Sequence, residues 1–213
     1  MQILAVIPAR GASKGIPRKN IRLMNGKPLI SYSINNAKKS RYITDVFVST
    51  DSDEIAEVAE EYGANIIKRD ESLSSDLVTL DPVIFHAKTC AEKISTKKYD
   101  VVVTLQPTSP LLRTETLDNA IEYFINGQFD TVISVINKPH LSWGKKENKF
   151  VPLYKERRNR QELPPQYFET GAFLIAKSEV IKNNTRIGKN ISVFEVDESE
   201  SIDIDDKNDA ILS

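Results

Sequence analysis

Apolar residues along this 213-residue chain fall into short dense runs separated by amphipathic stretches. Runs rich in Val and Ile, namely 3–8 (ILAVIP), 46–50, 101–106, 131–136, 173–176 and 191–196, predict buried strands. Between them a helical period places Ile30, Ile34 and Ala37 on one face of 28–39, and Ile55, Val58, Ala59 and Tyr62 on one face of 53–62. The same period puts Ile84, Ala87, Ala91 and Ile94 together in 81–94, and Leu117, Ala120, Ile121 and Phe124 together in 114–126. Pro28 and Pro82 near first turns, and Gly63 and Gly127 just past last turns, punctuate these helices. Strands alternating with helices predict an α/β domain: a mostly parallel twisted sheet flanked by helices on both faces.

The period breaks between 138 and 168, where four prolines and a dense cationic patch occur among aromatic and aliphatic residues. Leu141, Trp143, Phe150, Leu153, Leu163, Tyr167 and Phe168 argue against disorder there. An insertion of this length reads as a lid, a binding arm or a dimerisation element. The expected organisation is a catalytic domain of residues 1–137 and 169–213 carrying an inserted arm of 138–168.

Composition narrows the partners. Lys plus Arg (29) nearly balances Asp plus Glu (30), which disfavours a nucleic-acid or anionic-membrane surface and leaves any basic site local. No apolar run reaches the roughly 20 residues of a membrane span. The single cysteine, Cys90, and a first strand with no signal-like leader fit a cytoplasmic protein. His86 and Cys90 read as helix packing residues, and His140 stays open.

In open α/β sheets ligands collect beyond the carboxyl ends of the strands. Four stretches fall there: PARGASKGIPRKN (8–20), STD (49–51), KRDESLSSD (68–76) and LQPTSPLLR (105–113). In the first, Gly11 and Gly15 can shape a backbone anion nest, and Arg10, Lys14 and Lys19 can neutralise a polyphosphate. A plain basic turn is the alternative; position after the first strand favours phosphate. Near the C-terminus SIDIDD (201–206) places Asp203 and Asp205 on one side of an extended segment, with Ile202 and Ile204 on the other. That pair suits Mg²⁺ or a solvated acidic tail equally on its own, and a cationic phosphate loop elsewhere tips the balance to the metal.

Together these motifs resemble those of the CMP-sialic acid synthetases, or acylneuraminate cytidylyltransferases, and activators of related nine-carbon acid sugars. The matching blocks are IPARGASKGIPRKNI, LSSD, LQPTSPLLR, RQELP and SIDIDD, in the family's order over nearly the whole chain. The resemblance implies a Rossmann-like nucleotidyltransferase that joins CMP from CTP to a nine-carbon 2-keto acid sugar and releases pyrophosphate. By that analogy the backbone of Gly11, Ala12, Ser13, Lys14 and Gly15, with Arg10 and Lys19, holds the triphosphate; Lys19 stabilises charge at the α-phosphate and Asn20 orients the nucleotide. Arg69, Ser74, Ser75 and Asp76 border the cytosine, with Thr79 supplying a hydroxyl. Gln106, Thr108 and Ser109 face the sugar. Arg160 reaches the sugar site of a neighbouring subunit in a homodimer, and Asp203 and Asp205 hold Mg²⁺. Glu169-Thr170-Gly171-Ala172 stands where the sialic acid enzymes often read NGA, so the acid sugar stays open. Competing readings are a nucleotidyltransferase for a shorter keto-deoxy acid or a sugar phosphate, a non-catalytic nucleotide-binding assembly protein, and a nucleic-acid patch at KERRNR (155–160).

Overall fold

The computed structural model describes residues 1–12, 15–75 and 77–204. β1 (Ile3–Pro8) enters the centre of the sheet, and a small ribbon of β2 (Leu23–Met24) and β3 (Lys27–Pro28) leads into α1 (Leu29–Lys39). There follow β4 (Asp45–Thr50), α2 (Asp53–Glu61), β5 (Asn65–Lys68), α3 (Leu80–Ser95), β6 (Val101–Leu105) and α4 (Thr114–Asn126). The chain then runs through β7 (Thr131–Asn137), a hairpin of β8 (Trp143–Lys146) and β9 (Lys149–Pro152), β10 (Tyr167–Lys177) and β11 (Ile191–Glu195).

Seven strands pair in the order β11-β7-β10-β6-β1-β4-β5. β1 pairs in parallel with β4 and β6, β4 with β5, and β7 with β11; β10 pairs antiparallel with β6 and β7. The exception has a local cause. No crossover helix separates β7 from β10, so the chain returns in the opposite sense, as a direct connection requires. Residues Tyr167 and Phe168, expected in the arm, are the first residues of β10 and lie in the main sheet. The arm itself holds regular structure: the β8–β9 hairpin turns through Glu147 and Asn148, both at positive φ.

Alternation along β1 explains the two cores. Ile3, Ala5 and Ile7 face the layer of α1, α2 and α4, while Leu4 and Val6 face α3. Ile30, Ile34, Ala59, Leu117 and Phe124 fill the first core; Ile84, Ala87 and Ala91 fill the second, with Cys90 packed against it. Winding reverses beside β1, because β4 and β5 add on one side of it and β6 on the other. The crevice at such a reversal is where an open α/β sheet takes ligands.

Candidate active site

A cavity of about 470 Å³ opens beyond the carboxyl ends of these strands. Arg10, Gly15, Lys19 and Asn20 enter it from the loop after β1, and Arg69, Ser74 and Ser75 from the segment after β5. Gln106 and Thr108 close it from the end of β6. Three stretches far apart in sequence therefore supply one site, as their positions at strand ends predict.

The loop after β1 is anchored on both sides. Ile16 is buried with Leu29 and Ile204, and Asn20, itself buried, donates from Nδ2 to the Arg10 carbonyl at 2.9 Å. Asn20 thus braces the loop as well as lining the cavity. Arg18, at φ 56°, turns the chain into a single 3₁₀ turn that starts at Lys19. Gly11 donates its backbone N–H to Asp51 Oδ1 at 2.9 Å, so a carboxylate from the end of β4 occupies that amide. Ala12 is exposed, and Ser13 and Lys14 lie outside the described residues.

Arg69 is 6% exposed and donates to both the hydroxyl and the carbonyl of Ser49. Burial lowers its pKa from the ordinary guanidinium value; the Asp51 carboxylate opposes that shift, and the Arg10 charge adds to it. An anion entering between Arg10 and Arg69 would relieve that repulsion. Thr79 is the N-cap of α3, without a side-chain capping bond, and Asp76 lies outside the described residues.

The C-terminal segment docks against this loop. Lys19 donates from Nζ to the Ile204 carbonyl at 2.9 Å, and the Ile204 N–H donates to the Thr108 carbonyl at 2.8 Å. Burying Ile204 contributes about 1.5–3 kcal/mol, comparable to the charged bond from Lys19 and more than the neutral bond's net ~0.5–1.5 kcal/mol. A Cβ built on Gly171, at φ +75°, would lie 3.0 Å from Gln106 Nε2 and 3.8 Å from Asp203 Oδ2. The bare backbone there lets Gln106 and Asp203 approach. Asp205 lies outside the described residues. Ser109 is buried behind the lining, with its N–H bonded to the Gln106 carbonyl.

Arg160 stands apart. It begins a 3₁₀ turn in the arm, is exposed, and lowers the pKa of Glu198 only as a minor contributor after Lys138. The single chain does not bring it to the cavity lining.

Three contributors had no role in the sequence reading. Asp51 lay in a noted strand-end triplet, which was its only signal. Gly171 shows in the sequence only as part of a departure from a family pattern. Glu200, 2% exposed, accepts from the Arg113 backbone at 3.0 Å, from the Arg113 guanidinium, and from Thr116 Oγ1 at 2.9 Å, latching the C-terminal segment to α4. A glutamate within an acidic run carries no local sign of such burial.

The chain matches the family model described as cytidylyltransferase over residues 4–203. It is 37% identical to a pseudaminic acid cytidylyltransferase of Campylobacter jejuni, over 96% of this chain and 91% of that protein. It is 35% identical to a CMP-N,N'-diacetyllegionaminic acid synthase of Legionella pneumophila, over 100% of this chain and 95% of that protein. Among solved structures, a CMP:2-keto-3-deoxy-manno-octonic acid synthetase complexed with CTP superimposes with TM-score 0.73 at 16% identity, over 100% of this chain and 98% of that one, which shows a shared fold.

Proposed function

The chain belongs to the cytidylyltransferase family, and we propose that it transfers CMP from CTP to the anomeric hydroxyl of a nine-carbon 2-keto acid sugar. The observation that carries this reading is the convergence of Arg10, Lys19 and Arg69 on one cavity that also holds Gln106, with Asp203 beside it. Two relatives named for different acid sugars support the acceptor class without choosing within it.

In the proposed reaction the acceptor's anomeric hydroxyl gives up its proton to a carboxylate or to water as its oxygen bonds to the α-phosphorus, the bond to the bridging oxygen breaks, and pyrophosphate leaves with that electron pair. Negative charge grows on the phosphoryl and leaving oxygens, so fixed cations lower the barrier by electrostatics and positioning. Lys19 is assigned to the α-phosphate, Arg10 and the Gly11–Gly15 backbone to the outer phosphates, and Arg69, Ser74 and Ser75 to the base. Gln106 and Thr108 are assigned to the acceptor side. Gly11 can join the cradle only by exchanging its bond to Asp51 for one to phosphate.

Magnesium fits the donors present. Asp203 offers a hard carboxylate, one oxygen of it buried, at the cavity edge, and substrate phosphates would complete the shell. When bound, Mg²⁺ would neutralise phosphate charge, with Asp203, and Asp205 beyond the described residues, as its holders. Trp143 and Phe150 are exposed on one face of the arm's hairpin, and we assign that face to a second copy, which would carry Arg160 toward the partner's acceptor site.

Pyrophosphate release measured with CTP, Mg²⁺ and a panel of acid sugars tests the reading. Turnover with a nine-carbon acid is expected; turnover with an eight-carbon acid and none with nine would overturn it.

A further inference from the structure

The loop after β1 is fastened at both ends to residues 51–54, where β4 passes into α2, each time by a carboxylate. At its start Gly11 donates its backbone N–H to Asp51 Oδ1 at 2.9 Å. At its end Arg18 Nη2 lies 3.0 Å from Glu54 Oε2. The two ties differ in setting. The Arg18 and Glu54 side chains are 68% and 59% exposed, so water screens that pair. The bond from Gly11 is partly buried, and a Cβ built on Gly11 would lie 3.0 Å from Ser52 Cβ, so the missing side chain lets the amide come this close. Asp51 also acts on the wall of the main cavity: its charge supports the Arg69 cation that the Arg10 charge opposes, and both arginines line that cavity. A carboxylate that accepts from a loop N–H within reach of a guanidinium makes the contacts that a phosphate oxygen makes in such a cradle.

We propose that Asp51 is a resident stand-in for phosphate, yielding the Gly11 amide to the incoming triphosphate and taking it back as pyrophosphate leaves, an inference that rests on the CTP-dependent reaction above. Asp51 is thus a positioning residue, because it acts through the loop and not on the reacting atoms. A resident carboxylate makes every anion compete for the amide. CTP meets that competition with the base contacts assigned to Arg69, Ser74 and Ser75 to hold it besides, whereas pyrophosphate has none. The exchange therefore weighs most on the product, whose hold on a cluster of cations would otherwise slow its departure.

Titration calorimetry of the full chain with Mg²⁺ tests the exchange on CTP and on pyrophosphate. Asp51→Asn keeps an oxygen that can accept from Gly11 and removes the charge, so the loop stays braced while its internal competitor weakens. Pyrophosphate is expected to bind this variant about tenfold more tightly than wild type, the difference between a charge-assisted and a neutral hydrogen bond. CTP should gain by a similar factor, and pyrophosphate should inhibit turnover at a correspondingly lower concentration. A purely bracing role predicts the opposite sign, because a loosened loop binds anions less well. Asp53→Asn removes an equal charge two residues on, at a side chain 81% exposed beside Lys68, and should change either affinity by less than about twofold. In the wild-type chain the Gly11 amide resonance should shift when pyrophosphate and Mg²⁺ are added, a readout that stands if Asp51 variants fail to fold. An unchanged or weaker pyrophosphate affinity in Asp51→Asn, an equal gain in Asp53→Asn, or a Gly11 resonance indifferent to saturating pyrophosphate overturns the exchange while leaving the reaction intact. Failure of the wild-type chain to bind CTP overturns the reaction, and the exchange with it.

Discussion

Lys19 Nζ and the Ile204 carbonyl meet at 2.9 Å across 185 positions of sequence, so the cation assigned to the α-phosphate also tethers the C-terminal segment. Lys19→Met removes both contacts. Turnover at saturating CTP is expected to fall about 10²–10³-fold, the loss typical of removing one transition-state donor. A near-normal pyrophosphate release rate would take Lys19 out of the chemistry.

Gly171→Ala places a Cβ 3.0 Å from Gln106 Nε2 at a backbone φ of +75°. The left-handed conformation alone costs about 1–2 kcal/mol for a residue with a Cβ. Displacing Gln106 or Asp203 by even a fraction of an ångström should lower kcat by more than about tenfold, since misplacement near 1 Å costs on the order of 10²-fold. Thermal unfolding and steady-state rates on the same sample separate the two effects, and an unaltered kcat would show that the approach of Gln106 to Gly171 is not needed.

Glu200→Ala leaves the Arg113 N–H and the Thr116 hydroxyl without their acceptor. The expected destabilisation is about 1–3 kcal/mol in urea unfolding. Activity should fall further than stability alone explains, because Asp203 lies three residues beyond the latch. Equal losses would mean that the segment stays docked without it.

Asp130 tests the far end of the sheet by pH. The backbone N–H of Asn190, the Lys177 ammonium and the Lys189 N–H hold its carboxyl at about 2, below the ordinary 3.8. A depressed folded pKa gives stabilisation that is present above the unfolded value and lost as pH falls through the folded one. Asp130→Asn should therefore be less stable than wild type by a constant amount above about pH 5, with the gap closing between about pH 4 and 2. A gap independent of pH down to 2 would contradict the ionised contact.

The exposed arm predicts self-association. Trp143, Phe150 and Leu153 are 54%, 73% and 67% exposed, with Trp143 against Tyr154 edge-on at 5.8 Å. Sedimentation should show a dimer at micromolar concentration, and Trp143→Ser with Phe150→Ser should give a monomer. A monomeric wild-type chain would leave Arg160 no route to a second site.

Much of this was legible in the sequence wherever burial leaves a periodic trace. β1 and α4 have the bounds that their apolar runs predict, because their ends are marked by Pro8 and Gly127. β5 is implied by KRDESLSSD standing at a strand end, but its bounds are not legible, because Asn65-Ile66-Ile67-Lys68 offers only two apolar residues, too few to show a period. The β8–β9 hairpin is mostly exposed, so its faces need no contrast in polarity. The direction of β10 depends on what lies between it and β7, which no run of residues encodes. The phosphate loop and SIDIDD announce themselves by charge, whereas Glu200 owes its role to a partner 87 positions away.

The sheet order also dictates a timetable. β1, the first strand made, waits at the centre for β4 and β6, and its loop waits for Ile204. With synthesis at about 5–20 residues per second, roughly ten seconds or more separate Lys19 from the residue that tethers it. For that interval a growing chain already holds the cations of the β1 loop but lacks the carboxylate of Asp203. Cations and carboxylate come together only once the segment that carries Ile204 has docked against the β1 loop.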